Sequence, residues 1–246
     1  MEIGIIGFGT FGRFISKHLK DKAKIIITDI VDRKKEAEKI GVEFGSLDKI
    51  LKNKIIILAV PIESLEKTLH LIKNKLLPGT LVLDVSSVKI FPCKAMKKIL
   101  PENIEIIGTH PVFGADSAPR SIKGMKIALC NIRSKKIEKV KKFCEDLGLE
   151  VFEVTPKKHD KQIAISQALT HFIGRVIEKM DIGKVDIATK TFEDLEDITC
   201  IIKNDSKVLF ENLETINPFA KEIRKKFIEE SKKLNDHLNK IEDERK

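Results

Sequence analysis

The sequence predicts an α/β fold: a doubly wound, mostly parallel sheet over residues 1–155, then an all-helical region over residues 156–246. Three observations predict it. Strand and helix patterns alternate with short links up to Thr155, the order that a parallel sheet with covered faces requires. A glycine-rich turn, Gly7-Phe8-Gly9-Thr10-Phe11-Gly12, stands directly between the first strand and the first helix. After Pro156 the strand signals stop, and apolar residues recur at helical spacing.

The elements follow in order. EIGII at the start reads as a strand, residues 10–20 as a helix, residues 24–28 as a strand and residues 32–40 as a helix. Residues 55–60 form a continuous apolar run, as expected of a strand buried on both faces. Residues 63–75 have helical period, and residues 80–85 and 105–109 read as further strands. A strand at 126–130, a helix at 134–147 and a strand at 150–154 complete the alternation. Residues 158–180 then read as one long helix, and residues 186–213 as helical with a break. Pro218 opens a helix that runs almost to the end, with Phe227, Leu234, Leu238 and Ile241 spaced by seven, four and three. Three such helices cannot bury all their apolar faces alone, so they are expected to pack on the first domain or on a second subunit, as a homodimer.

Composition narrows the function classes. With 42% hydrophobic and 34% charged residues, the chain has enough apolar material for a core. No apolar run approaches the roughly 18 residues of a membrane span. The first strand begins at Glu2 and leaves no room for a leader, so a cytoplasmic location is expected. Cys93, Cys130, Cys144 and Cys200 form no CxxC pair and read as reduced thiols. The net charge of +9 comes almost wholly from lysine, since only seven of the 46 basic residues are arginine. Those lysines alternate with glutamates on helical faces, and Tyr and Trp are absent, which argues against nucleic acid as a partner. A positive field suits the collection of small anionic substrates.

The glycine turn has the context of a Rossmann-type dinucleotide site: strand, tight turn, helix. Gly7 permits the turn, Gly9 lets the backbone approach a pyrophosphate, and Gly12 lets the helix pack closely. The anion would rest on free N–H groups at the positive end of the helix dipole. Asp29 ends the second strand, where an acid binds the ribose hydroxyls and favours NAD. Arg33 and Lys34 stand close by and keep NADP possible. Ala59-Val60-Pro61 ends the next buried strand, where the proline shapes a floor under the cofactor, a reading compatible with its starting a helix.

Residues 104–117, IEIIGTHPVFGADS, carry the chemistry. A strand ending here places His110 in the crevice at the carboxyl edge of the sheet. Histidine there suits a base that removes a hydroxyl proton as hydride leaves the same carbon. Ser86 and Ser87 end the preceding strand in DVSSVK. A hydroxyl there could orient His110 or the nicotinamide, or simply cap a helix. His171 and Arg175 lie four apart on one helical face, and arginine suits a carboxylate.

GFGTFG, DVSSVK, THPVFG and HDKQIAISQALTHFIGR occur in this order in the prephenate and arogenate dehydrogenases of tyrosine biosynthesis, which the chain resembles over nearly its whole length. The resemblance implies a Rossmann domain followed by a helical substrate-binding and dimerisation domain. It implies NAD(P)-dependent oxidative decarboxylation of prephenate or arogenate, with His110 as base. It also implies that Ser87 contacts His110 and the substrate, and that His171 binds substrate. The chain departs from the family in TKTFEDLEDI, which lacks the arginine that many bacterial members use to grip the ring carboxylate. Arg120, Lys123, Lys190 or a residue of a partner subunit are the available substitutes. The remaining readings are a β-hydroxyacid dehydrogenase or imine reductase of similar architecture, and a non-catalytic NAD-binding protein.

Overall fold

The computed structural model describes residues 1–115, 117–118 and 120–246. It divides into two compact units, Met1–His159 and Asp160–Lys246. The boundary lies four residues beyond the expected one, inside a helix.

The first unit contains β1 (Glu2–Ile6), α1 (Thr10–Leu19), β2 (Lys24–Thr28), α2 (Lys34–Ile40), β3 (Glu43–Phe44), α3 (Leu47–Ile50), β4 (Ile55–Leu58) and α4 (Ile62–Ile72). It continues with β5 (Leu81–Asp84), α5 (Ile90–Ile99), β6 (Glu105–Pro111), β7 (Lys126–Arg133), α6 (Ile137–Asp146), β8 (Glu150–Glu153) and the start of α7 (Pro156–Ile163). The eight strands form one sheet in the order β3-β2-β1-β4-β5-β6-β7-β8. Among the described residues only the β6–β7 pairing is antiparallel. The switch in strand order falls between β1 and β4, where open α/β sheets bind ligands beyond the strand ends.

Alternate residues of the central strands feed two separate cores. Ile5, Ile57, Leu83 and Ile107 join the layer that contains Phe14 and Leu19 of α1 and Cys144 of α6. Ile6, Ile56, Val82 and Ile106 join the layer built on Leu65 and Leu69 of α4 and Met96 of α5. This period of two is what makes the strands read as unbroken apolar runs. Helix α5 was not among the expected elements. Its Pro92 is tolerated because the first-turn N–H groups have no intrahelical acceptor to lose.

In the second unit the expected long helix is interrupted. A π-turn (Ala164–Ala168) separates α7 from α8 (Leu169–Met180). Leu169 N–H reaches back five residues to Ala164 O. Ser166 Oγ donates to Gln162 O and Thr170 Oγ1 to Ser166 O, and such back-bonding hydroxyls distort helices. After α8 come α9 (Lys190–Asn204), α10 (Lys207–Thr215) and α11 (Ala220–Glu244). The break expected within 186–213 is the Asp205–Ser206 link, where Ser206 Oγ caps α10 by accepting from Leu209 N–H. The core here is small: Ile163, Ala168, Leu213 and Ala220, with Leu209 against them. Among the described residues no helix is long and apolar enough to cross a membrane.

Candidate active site

The glycine turn is built as its spacing requires. Gly7 has φ +103, and a Cβ on it would lie 2.4 Å from Ala59 O. A Cβ on Gly12 would lie 2.2 Å from Gly7 O, so α1 meets the turn only through glycine. A Cβ on Gly9 would meet nothing within 4 Å. The turn therefore leaves open space above Gly9, at the start of a helix that no side chain caps and no acidic residue shields. That is a cradle for an anionic group at the positive end of a helix dipole. Gly9 and Thr10 are exposed and Phe11 is half-buried. Phe8 differs from expectation: its side chain is fully buried in the core, so only its backbone faces the turn.

Asp29 stands against this turn. Its Oδ2 accepts Phe8 N–H at 2.6 Å and its Oδ1 accepts Val31 N–H at 3.0 Å. Arg33, the basic neighbour that kept NADP open, pairs with Glu36 at 2.9 Å. Arg13 pairs with the same carboxylate at 3.1 Å. One glutamate thus ties down both arginines and offsets one of their two charges. Ala59 and Val60 pack into the two cores, and Pro61 opens α4 as its N-cap residue, so the helix-starting reading of that proline holds.

The next two strand ends are stapled together. Asp84 and Lys89 are fully buried and form an ion pair. Lys89 Nζ also donates to Thr109 O at 2.6 Å. Asp84 accepts Ser86 N–H at 3.0 Å and Thr109 N–H at 3.3 Å. Neither Ser86 nor Ser87 caps α5, whose N-cap is Lys89, so the capping alternative does not apply. Both serines are half-buried just beyond β5.

His110 follows Thr109 on β6 and is 4% exposed. Its Nδ1 lies 2.9 Å from Nε2 of His159, which is 3% exposed. The partner of that nitrogen is therefore His159 and not Ser87; no hydrogen bond among the described residues joins Ser87 to His110. Burial pushes the His110 pKa well below the ordinary histidine range, and the charges of His159 and Lys89 push it the same way. His110 is thus a neutral imidazole in a dry setting. From the sequence, His159 reads as a helix-start or interdomain residue; its contact with His110, 49 residues away, has no local signal.

In the second unit, His171 of α8 is 7% exposed. Its Nε2 lies 3.5 Å from Asp205 Oδ2, and its Nδ1 is buried without a hydrogen-bond partner. Burial, then the Arg175 charge, lowers its pKa to about 4. Arg175, read from the sequence as either a carboxylate ligand or a solvent-facing residue, is held by hydrogen bonds within this unit. It donates to Glu178 Oε2 at 2.9 Å and to Asp205 O at 2.7 Å, tying α8 to the end of α9, so its terminal nitrogens already serve the fold.

A family model described as prephenate dehydrogenase, nucleotide-binding domain, matches residues 11–153. A second, the TYRAAT1-like C-terminal domain, matches residues 176–246. Arogenate dehydrogenase 2, chloroplastic, of Arabidopsis thaliana is 34% identical over 90% of this chain and 65% of its own length. A probable arogenate/prephenate dehydrogenase of Methanocaldococcus jannaschii is 30% identical over 96% of this chain and 56% of its own length. Among solved structures, prephenate dehydrogenase from A. aeolicus in complex with hydroxyphenyl propionate and NAD+ shares the fold. Its TM-score is 0.76 at 23% identity, over 98% of this chain and 90% of that one. The chain spans 37% to 65% of the length of three curated relatives that it matches. By the match to its nucleotide-binding domain, over more than half its length, the chain belongs to the prephenate dehydrogenase family.

Proposed function

We propose that the chain catalyses NAD(P)-dependent oxidative decarboxylation of prephenate or arogenate. The observation that carries this reading is His110: a buried, neutral imidazole at the carboxyl end of β6, in the sheet that holds the glycine cradle. The open space above Gly9 and the uncapped start of α1 fit the pyrophosphate of a dinucleotide. Asp29 beside the turn favours NAD, and the pairing of Arg13 and Arg33 with Glu36 disfavours a 2′-phosphate. When bound, the nicotinamide accepts a hydride.

His110 would take the proton from the ring hydroxyl on the carbon that is oxidised. Held neutral by burial, it is ready to do so at any pH where its conjugate acid does not form. The Asp84–Lys89 pair holds the strand end that carries it. Ser87, just beyond the neighbouring strand, would contact substrate. Loss of the ring carboxylate then aromatises the ring and drives the reaction forward. On the helical unit, the unpartnered Nδ1 of His171 would meet a polar group of the substrate. Exposed apolar residues of α9 and α11 (Ile198, Ile201, Ile228, Leu234 and Leu238) support a homodimer through the C-terminal helices.

The test is absorbance at 340 nm with prephenate and arogenate, each with NAD⁺ and NADP⁺. Turnover with one of the four combinations is expected, and silence in all of them ends this reading. Light scattering should report a dimer that Leu234→Glu with Leu238→Glu converts to a monomer; a wild-type monomer contradicts the dimer.

A further inference from the structure

The mechanism above uses one buried histidine, but the structure holds two in contact. Sheet register brings them together. Glu153 of β8 pairs with Leu129 of β7, and Leu129 pairs with Thr109 of β6, so the end of β8 is level with the residue before His110. After two intervening residues, Val154 and Thr155, α7 begins. Thr155 anchors its first turn, accepting Lys158 N–H on Oγ1 and His159 N–H on its carbonyl. His159 is thereby delivered edge-on to His110, with ring centroids 5.1 Å apart and planes at 70°.

A nitrogen-to-nitrogen distance of 2.9 Å is a hydrogen bond in which one ring donates and the other accepts. If His110 donates from Nδ1, its Nε2 bears the lone pair and is a base. If it accepts, Nε2 bears the hydrogen and the ring is useless as a base. Lys89, whose charge bears on His110, is buried in an ion pair with Asp84. A proton left on His110 would therefore sit in a buried site with the Lys89 ammonium close by.

We propose that His159 is the second member of a two-histidine proton relay, fixing His110 as the Nδ1–H tautomer and taking its proton during turnover. The inference rests on the dehydrogenase reading, with His110 as base. In the step, the substrate O–H bond breaks and an N–H bond forms at His110 Nε2. The His110 Nδ1–H bond breaks and an N–H bond forms at His159 Nε2. The hydride goes to the nicotinamide, so no further oxidant is needed. His110 ends neutral and the positive charge moves one ring away.

The test compares His159→Gln, His159→Ala and His110→Asn in the full chain, with the active substrate and nicotinamide over a range of pH. Glutamine can accept the Nδ1 hydrogen bond but cannot take a proton. Both His159 variants should lose roughly 10-fold or more in kcat with KM nearly unchanged. Added imidazole should partly rescue His159→Ala. The acid limb of the kcat profile should move to higher pH in His159→Gln, because the His159 charge that helps to lower the His110 pKa is gone. Wild-type kcat with an unmoved pH profile in His159→Gln would overturn the relay and leave His159 a mere hydrogen-bond acceptor. If His159→Ala fails to fold, His159→Gln decides alone. Normal turnover by His110→Asn would instead sink the assignment of the base, and the relay with it.

Discussion

In the sheet unit, His110 is hydrogen-bonded to a second histidine, and a buried ion pair holds the neighbouring strand end. In the helical unit, His171 is nearly as buried, yet one ring nitrogen has no partner and the other lies 3.5 Å from a carboxylate. The cores differ in the same direction. The sheet unit has a large apolar layer on each face, whereas the core cluster of the helical unit gathers four buried residues, and Ile187, Val208 and much of α11 are exposed. An unsatisfied buried polar atom costs about 1–3 kcal/mol. The comparison teaches that the two buried histidines differ in kind: His110 has its ring partner within its own unit, while His171 keeps one ring nitrogen unpaired.

The largest effect should come from the base. His110→Asn is expected to lower kcat by roughly 10²–10⁴-fold while leaving nucleotide affinity, measured by titration, nearly intact. A near-normal kcat would mean that the sealed histidine is structural. Next is the ion pair. Lys89→Met leaves Asp84 buried and unpaired, which should cost about 3–5 kcal/mol, read as a lower urea midpoint. An unchanged midpoint would show that the strand ends are held by the remaining hydrogen bonds.

Acid should then weaken the fold through both buried histidines. His171 has its folded pKa lowered to about 4, below the 6.5 of a free histidine. As pH falls from 6.5 towards 4, the unfolded chain takes up a proton that the folded chain refuses, so stability falls. His110 acts in the same direction. His171→Asn should remove up to roughly 3 kcal/mol of this acid sensitivity and raise KM for substrate. Equal urea midpoints for variant and wild type at both pH 7 and pH 4.5 would contradict the burial argument. The smallest effect belongs to Asp29→Ala, which should narrow the preference for NAD⁺ over NADP⁺ by a few-fold; an unchanged ratio would remove Asp29 from the cofactor site.

Much of the sheet unit was legible beforehand. Its strands are apolar runs, its turn needs glycine at Gly7 and Gly12, and its histidine follows a strand. These are local signals, set by side-chain period and backbone sterics within a few residues. The helical unit was legible only in outline, since periodicity alone did not reveal the π-turn at 164–168. Arg175 shows the same limit: a free arginine and one tied to Glu178 and the Asp205 carbonyl look identical in a string of letters.

The sequence by itself determined the alternating α/β order, the nucleotide turn and the placement of His110 at the carboxyl edge of the sheet. Only the tertiary structure decided that β7 runs antiparallel to β6, that Lys89 neutralises Asp84 under the strand ends, and that His159 meets His110. The reason is physical. Local pattern dictates which groups are buried, but a buried polar group takes its partner from whatever element the fold lays beside it.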